Sequence, residues 1–122
     1  MRYILMLYAR ESGWSELTEA QQEQAMGAYN AYTEALKNAG ALTGTNRLRP
    51  TSTATTVRVA NGKSQVLDGP FADSKEQLGG YYIIDVPDLD AAISWAARCP
   101  AASHGIVEVR PLWDKPAGGA RE

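Results

Sequence analysis

Residues 2 to 9, RYILMLYA, form a nearly unbroken run of apolar strand formers. A run of this length without polar alternation predicts a central strand covered on both faces. Residues 10 to 15 break the pattern. Thr18 followed by Gln21 has the spacing of a capping box, and from there to Asn38 the chain is rich in Ala, Gln, Glu, Leu and Met with no proline, which predicts a long helix. Met26, Tyr29, Thr33 and Leu36 fall on one stripe of that helix, and Gly40 offers the left-handed position that ends it.

Polar and apolar positions then begin to alternate. Leu42 to Leu48 and Thr55 to Ala60 are rich in Thr and Val, and Asn61-Gly62 is a two-residue hairpin signal leading into Ser64 to Leu67. A charged loop follows, and Gly80 to Val86 read as a further strand. Asp88 caps a second helix with an apolar stripe of Leu89, Ala92, Ile93, Ala96 and Ala97, closed by Pro100. Residues 106 to 112, IVEVRPL, alternate as a half-buried strand does, and residues 114–122 have the composition of a loose tail.

Strand, helix, several strands, helix, strand is an order of the α+β class. The simplest topology is a ferredoxin-like antiparallel sheet with two helices on one face and an inserted β-hairpin, in one domain over residues 1–113. Two helices cover only one face of such a sheet. A second face carrying Ile4, Met6 and Tyr8 would not stay in water, so a homodimer with sheets packed face to face is the economical arrangement.

Composition narrows the function classes. The chain has 122 residues, a formal net charge of -2 and a pI near 5.4, so it has no basic field for nucleic acid. Its single cysteine, Cys99, rules out an intrachain disulfide, and its place at the end of an apolar helical stripe predicts a buried, inert thiol. The apolar N-terminal run is too short for a signal peptide or a membrane span, and a cytoplasmic protein is expected. One His, His104, expected on a surface loop, and one Cys without further ligand spacing give no metal site. No P-loop or dinucleotide fingerprint points to a cofactor, and none is expected.

DGPFADSKEQLGGYYIIDV, followed by DLDAAISWAARCP and GIVEVRPL, closely resembles the YCII-related proteins of the DGPF type. RYILMLY, LKNAGAL and TATTVRVANGK match upstream, so the resemblance spans about residues 1 to 113. It implies a dimeric α/β barrel of ferredoxin-like topology. The wider superfamily includes lactone isomerases, dehydrochlorinases and cofactor-free monooxygenases with a small organic substrate, and the DGPF branch is often encoded beside extracytoplasmic-function sigma factors. YCII-type members carry a His on the first helix, proposed to pair with an Asp. This chain has Met26, Tyr29 and Tyr32 there, so that dyad does not carry over.

Candidate chemistry comes from strand parity and from the charged loop. In the last strand Val107 and Val109 share one face and Glu108 and Arg110 the other; Val57 and Val59 likewise oppose Thr56 and Arg58. With the valines under the helices, Arg58, Glu108 and Arg110 would project into the second face. An arginine there needs a carboxylate or an anionic ligand. One reading pairs Arg58 or Arg110 with Glu108 or Asp68 as a structural network, and the other leaves an arginine for a small carboxylate or enolate. In the loop, Asp68 beside Phe71 is the candidate general acid or base, with Lys75 and Glu76 to orient it. The alternative makes Asp68 a turn cap stiffened by Gly69-Pro70. Gly79-Gly80 reads as a close backbone approach or a bulge. Tyrosines 29, 32, 81 and 82 read as packing residues, with Tyr82 taken as a pocket liner.

The leading expectation is a homodimer that binds a small molecule of carboxylate or lactone type in a pocket lined by Arg58, Asp68, Tyr82, Glu108 and Arg110, as a cofactor-independent isomerase or lyase. The alternative is a non-enzymatic interaction or regulatory module tied to a sigma-factor or stress pathway.

Overall fold

The computed structural model describes residues 1–113, and the tail expected over 114–122 lies outside them. Strand β1 (Arg2–Ala9) is followed by a short helix α1 (Glu11–Ser15) and the long helix α2 (Glu19–Asn38). Strands β2 (Leu42–Arg47), β3 (Thr55–Ala60), β4 (Lys63–Asp68) and β5 (Gln77–Asp85) come next, then α3 (Leu89–Arg98), α4 (Ala101–His104) and β6 (Ile106–Pro111). Four strands make one antiparallel sheet in the order β2-β5-β1-β6, and β3 and β4 form a separate two-stranded hairpin. This is the α+β, ferredoxin-like arrangement expected, with the hairpin inserted between β2 and β5. No helix among the described residues is long and apolar enough to cross a membrane.

Local chemistry sets the element ends. The Thr18 side chain accepts from the Gln21 amide at 3.2 Å, while the Gln21 side chain accepts from the Thr18 amide at 2.9 Å, so the capping box holds two N-terminal donors of α2. Gly40, at φ 70°, turns the chain out of that helix. The Asp88 carboxylate takes the Ala91 amide at 2.9 Å and starts α3. Asn61 and Gly62, at φ 52° and 75°, make the tight turn joining β3 to β4.

One face of the sheet is covered. Tyr3, Leu5 and Leu7 of β1 and Tyr82 and Ile84 of β5 lie beneath Tyr32 and Leu36 of α2 and Ala92 and Ala96 of α3. Leu5, Leu36 and Ile84 are wholly buried, each contributing about 1.5–3 kcal/mol of hydrophobic stabilisation. Val107 and Val109 pack against this core, as parity required. The apolar stripe of α3 differs from expectation: Leu89 and Ile93 are exposed, and the helix is rolled to bring Ala91 and Trp95 to the core. The Tyr32 hydroxyl donates to the Trp95 carbonyl at 2.7 Å, which holds that roll.

Three further differences have physical causes. Residues 11–15 fold as α1 although they carry no apolar period, because Trp14 stacks under the Arg47 guanidinium at 4.7 Å and Glu11 reaches across to Thr51. His104 ends α4 rather than sitting in a loop, but it is exposed as expected. Gly105 lies so close to β1 that a Cβ there would sit 2.1 Å from the Tyr8 carbonyl oxygen, a constraint the sequence pattern did not reveal. Gly80 packs closely too, 2.9 Å from the Asn46 carbonyl oxygen by the same construction, and the β1–β5 register shifts beside Gly79. Both parts of the Gly79-Gly80 reading hold.

Candidate functional site

The second face of the four-stranded sheet has no helix on it. Ile4, Met6 and Tyr8 stand there with Tyr81 and Ile83 of β5 and Ile106, Glu108 and Arg110 of β6, as the registers Met6↔Tyr81, Met6↔Glu108 and Ile4↔Arg110 require. Arg110 is ion-paired with Glu108 two residues away on the same strand. These two charges therefore satisfy each other, which is the structural reading of the pair.

The β3–β4 hairpin departs most from expectation. Val57 and Val59 are not under the helices. They are 61% and 66% exposed, because β3 pairs only with β4 and the hairpin projects from the body as an arm. Arg58 accordingly does not join Arg110 on the sheet within one chain; its guanidinium lies 5.8 Å from the Phe71 ring centroid. Asp68 ends β4 in an exposed position, and Phe71 is itself exposed. Among the described residues no hydrogen bond reaches the Asp68 carboxylate, so it does not cap the turn either. The turn is held by its backbone: Gly69, at φ 104°, donates its amide to the Ala54 carbonyl at 2.7 Å, and its own carbonyl accepts from the Thr56 hydroxyl at 2.8 Å.

Tyr82 is a core residue rather than a pocket liner. Its hydroxyl shares a 2.8 Å hydrogen bond with the Thr33 hydroxyl, and its ring meets Tyr32 edge to face at 5.1 Å. Burial pushes its phenol above the ordinary range, partly offset by the Thr33 bond. Burial likewise raises Tyr29 to about 12, and it raises Tyr32 and the Cys99 thiol. Cys99 is 2% exposed, which is the burial expected of it. Tyr81, its sequence neighbour, is the tyrosine on the uncovered face, where it accepts from the Asn46 side-chain amide at 2.8 Å.

Where the uncovered face meets the charged loop there is a groove of about 480 Å³. Tyr8 and Leu78 form its floor, the segment from Leu48 to Ala54 one wall, and Pro70 to Gln77 the other. Glu76 lines it, as does Arg49, which forms no ion pair among the described residues. Both walls are pinned. The Glu11 carboxylate accepts from the Thr51 amide at 2.8 Å and the Thr51 hydroxyl at 3.1 Å, and the Glu11 amide donates to Gln77 Oε1 at 3.0 Å. Gln77 Nε2 in turn donates to the Ser74 carbonyl at 2.6 Å, and the Ser74 hydroxyl to the Glu76 carbonyl at 2.5 Å. Lys75 lies outside this groove, in a neighbouring hollow of about 450 Å³ shared with Arg10, Glu11 and Ser12.

Of the residues expected at a site, the structure brings only Glu76 into this groove. Arg49, Tyr8, Thr51, Thr53, Ser74 and Gln77 carry the rest of its polar character, and Glu11, outside the groove, holds Thr51. Arg49 had a readable signal: Pro50 restricts it to extended backbone, and an Arg-Pro step between two strands marks a fixed chain position much as Gly69-Pro70 does. Glu11 had none, because its role depends on contact with Thr51 across 40 residues.

The chain and its fold have counterparts among known proteins. An uncharacterised protein of Rhizobium meliloti (strain 1021) is 40% identical over 114 residues, which is 92% of each chain. Among solved structures, 5-chloro-2-hydroxyhydroquinone dehydrochlorinase (TftG) from Burkholderia phenoliruptrix AC1100, in complex with 2,5-dihydroxybenzoquinone, superposes with a TM-score of 0.55 at 16% identity, covering 98% of this chain and all of that one. At that identity the likeness is one of fold alone. The family model of the YCII-related domain matches residues 1–115, nearly the whole chain, and the chain belongs to the YCII-related family.

Proposed function

We propose that the protein is a homodimer that binds a small organic anion, of carboxylate or enolate type, in the groove between the Leu48–Ala54 segment and the Pro70–Gln77 loop. The observation that carries this reading is Arg49, which forms no ion pair among the described residues and lines a groove together with Leu48, Pro70, Leu78 and one carboxylate, Glu76. A guanidinium presents parallel N–H donors that match the two oxygens of a carboxylate or of an enolised hydroxyketone. Leu48, Pro70 and Leu78 supply the apolar surface for a ring or short chain. The uncovered sheet face, with Ile4, Met6 and Ile83, supports the dimer, since a partner's sheet would cover it.

The chemistry open to this groove is proton transfer. Glu76 would take a proton from the carbon next to a carbonyl and return it to a neighbouring position, while Arg49 holds the negative charge that builds on oxygen. That is a cofactor-independent isomerisation, and expulsion of a leaving group from the same enolate would make it a lyase. The fold neighbour, a dehydrochlorinase in complex with 2,5-dihydroxybenzoquinone, supports a ligand of this size and character.

Thermal-shift measurement on wild type and Arg49→Ala against small carboxylates, lactones and 2,5-dihydroxybenzoquinone tests the reading. A ligand at about 100 times its Kd stabilises the folded state by about 2.7 kcal/mol, so a rise of several degrees is expected in wild type and its loss in the variant. No shift with any of these ligands, or equal shifts in both proteins, would refute it.

A further inference from the structure

Gln77 belongs to two depressions at once, the groove of about 480 Å³ and the neighbouring hollow of about 450 Å³. The loop alternates between them, with Ser74 and Glu76 on the groove and Lys75 on the hollow. The hollow's other side comes from Arg10, the residue after β1. Its backbone is still extended, at φ -72° and ψ 120°, so strand parity carries through and its side chain leaves the chain on the same side as that of Tyr8, on the groove floor. Tyr8 and Arg10 are therefore one strand repeat apart, roughly 6.7 Å, and the pairing of Ala9 with Gln77 fixes that step against the loop.

Charge sets the hollow apart. Arg10 and Lys75 form no ion pair among the described residues, as Arg49 forms none in the groove. Glu11 also lines the hollow, but its two carboxylate oxygens are taken by the Thr51 amide at 2.8 Å and the Thr51 hydroxyl at 3.1 Å. The Gln77 side chain is committed as well, to the Glu11 amide at 3.0 Å and the Ser74 carbonyl at 2.6 Å. What the hollow offers a ligand is two cations, and a concave surface of one sign concentrates anions.

We propose that the groove and the hollow are two halves of one site for a small dicarboxylate. One acid group pairs with Arg49, the other lies between Arg10 and Lys75, and the chain that joins them crosses Tyr8 and the Gln77 side chain. A monoanion would satisfy Arg49 and leave Arg10 and Lys75 to water, whereas a second acid group engages both. The Arg49 end of this site rests on the function proposed above; the end at Arg10 and Lys75 does not.

Adipate and its monoamide, adipamate, share length and shape and differ in the second charge. Titration of the ¹⁵N-labelled protein with each gives their Kd values and the residues they reach. Wild type is expected to bind adipate about 10-fold more tightly than adipamate, with amide shifts at Ser12 and Lys75 added to those at Arg49. The ratio is expected to fall toward one in Arg10→Ala/Lys75→Ala, two exposed positions, and to hold in Lys63→Ala, whose cation stands on the β3–β4 arm and lines neither depression. Equal affinities in wild type, with shifts at Arg49, would overturn the dicarboxylate site and leave the groove reading standing. A ratio that survives the double variant, or falls as far in Lys63→Ala, would overturn it too. Adipate shifts confined to the hollow and unchanged in Arg49→Ala would refute both the groove reading and the two-ended site, as would no binding of either acid.

Discussion

Tyr81 and Tyr82 are adjacent on β5 and do opposite work. The Tyr82 hydroxyl is bound to Thr33 beneath α2 at 2.8 Å, whereas the Tyr81 hydroxyl takes the Asn46 amide on the uncovered face at 2.8 Å. One residue of parity separates a core phenol from one at a surface a partner would cover.

Tyr82→Phe removes a buried hydrogen bond and leaves the Thr33 hydroxyl without that partner. A loss of about 1 kcal/mol is expected, which lowers the melting temperature by roughly 3 to 6 °C. Tyr81→Phe is expected to change stability by less than about 0.5 kcal/mol. Thermal melts of the two variants check the contrast, and equal losses would mean that the parity assigned to β5 is wrong.

Alkaline pH should unfold the protein selectively through its core. Burial raises the Tyr29, Tyr32 and Tyr82 phenols and the Cys99 thiol above their ordinary values. The unfolded chain therefore gives up these protons first, and the stability they contribute is complete below their ordinary ranges, about 8.5 for the thiol and 10 for the phenols. It is lost as pH climbs through the raised values, about 12 for Tyr29. Urea denaturation midpoints are expected to fall between pH 8 and pH 11, less steeply in Tyr82→Phe. A midpoint that holds constant over that range would contradict the burial of these groups.

Glu11 ties α1 to the groove wall through two hydrogen bonds from Thr51. Glu11→Ala leaves the Thr51 amide without its acceptor and is expected to cost about 1.5 kcal/mol, within the range for hydrogen bonds to a charged group. Amide hydrogen exchange at Thr51 should speed up well beyond any global change. Unaltered protection there would show that the wall stands without Glu11.

Much of this fold was legible because its signals are local. The Thr18-Gln21 box, the Asp88 cap, the Asn61-Gly62 turn and the parity of Val107 and Val109 each depend on a few neighbouring residues, and each appears in the structure. The site was less legible because it depends on which strands pair. Parity within β3 correctly separates Val57 from Arg58, but it does not say whether β3 belongs to the main sheet. Its position in the arm moved Arg58 and Asp68 away from Glu108 and Arg110. Tyr82 was misplaced because nothing in GGYY shows which of two tyrosines points inward until the register with β1 is known.

The groove beside Arg49 is the proposed seat of a small organic anion. Titration of the ¹⁵N-labelled protein with 2,5-dihydroxybenzoquinone, followed by amide chemical shifts, tests it residue by residue. Saturable shifts at Tyr8, Arg49, Thr51 and Glu76 to Leu78, abolished in Arg49→Ala, are the expected result. Saturable shifts confined to other parts of the molecule, or none at millimolar ligand, would contradict it.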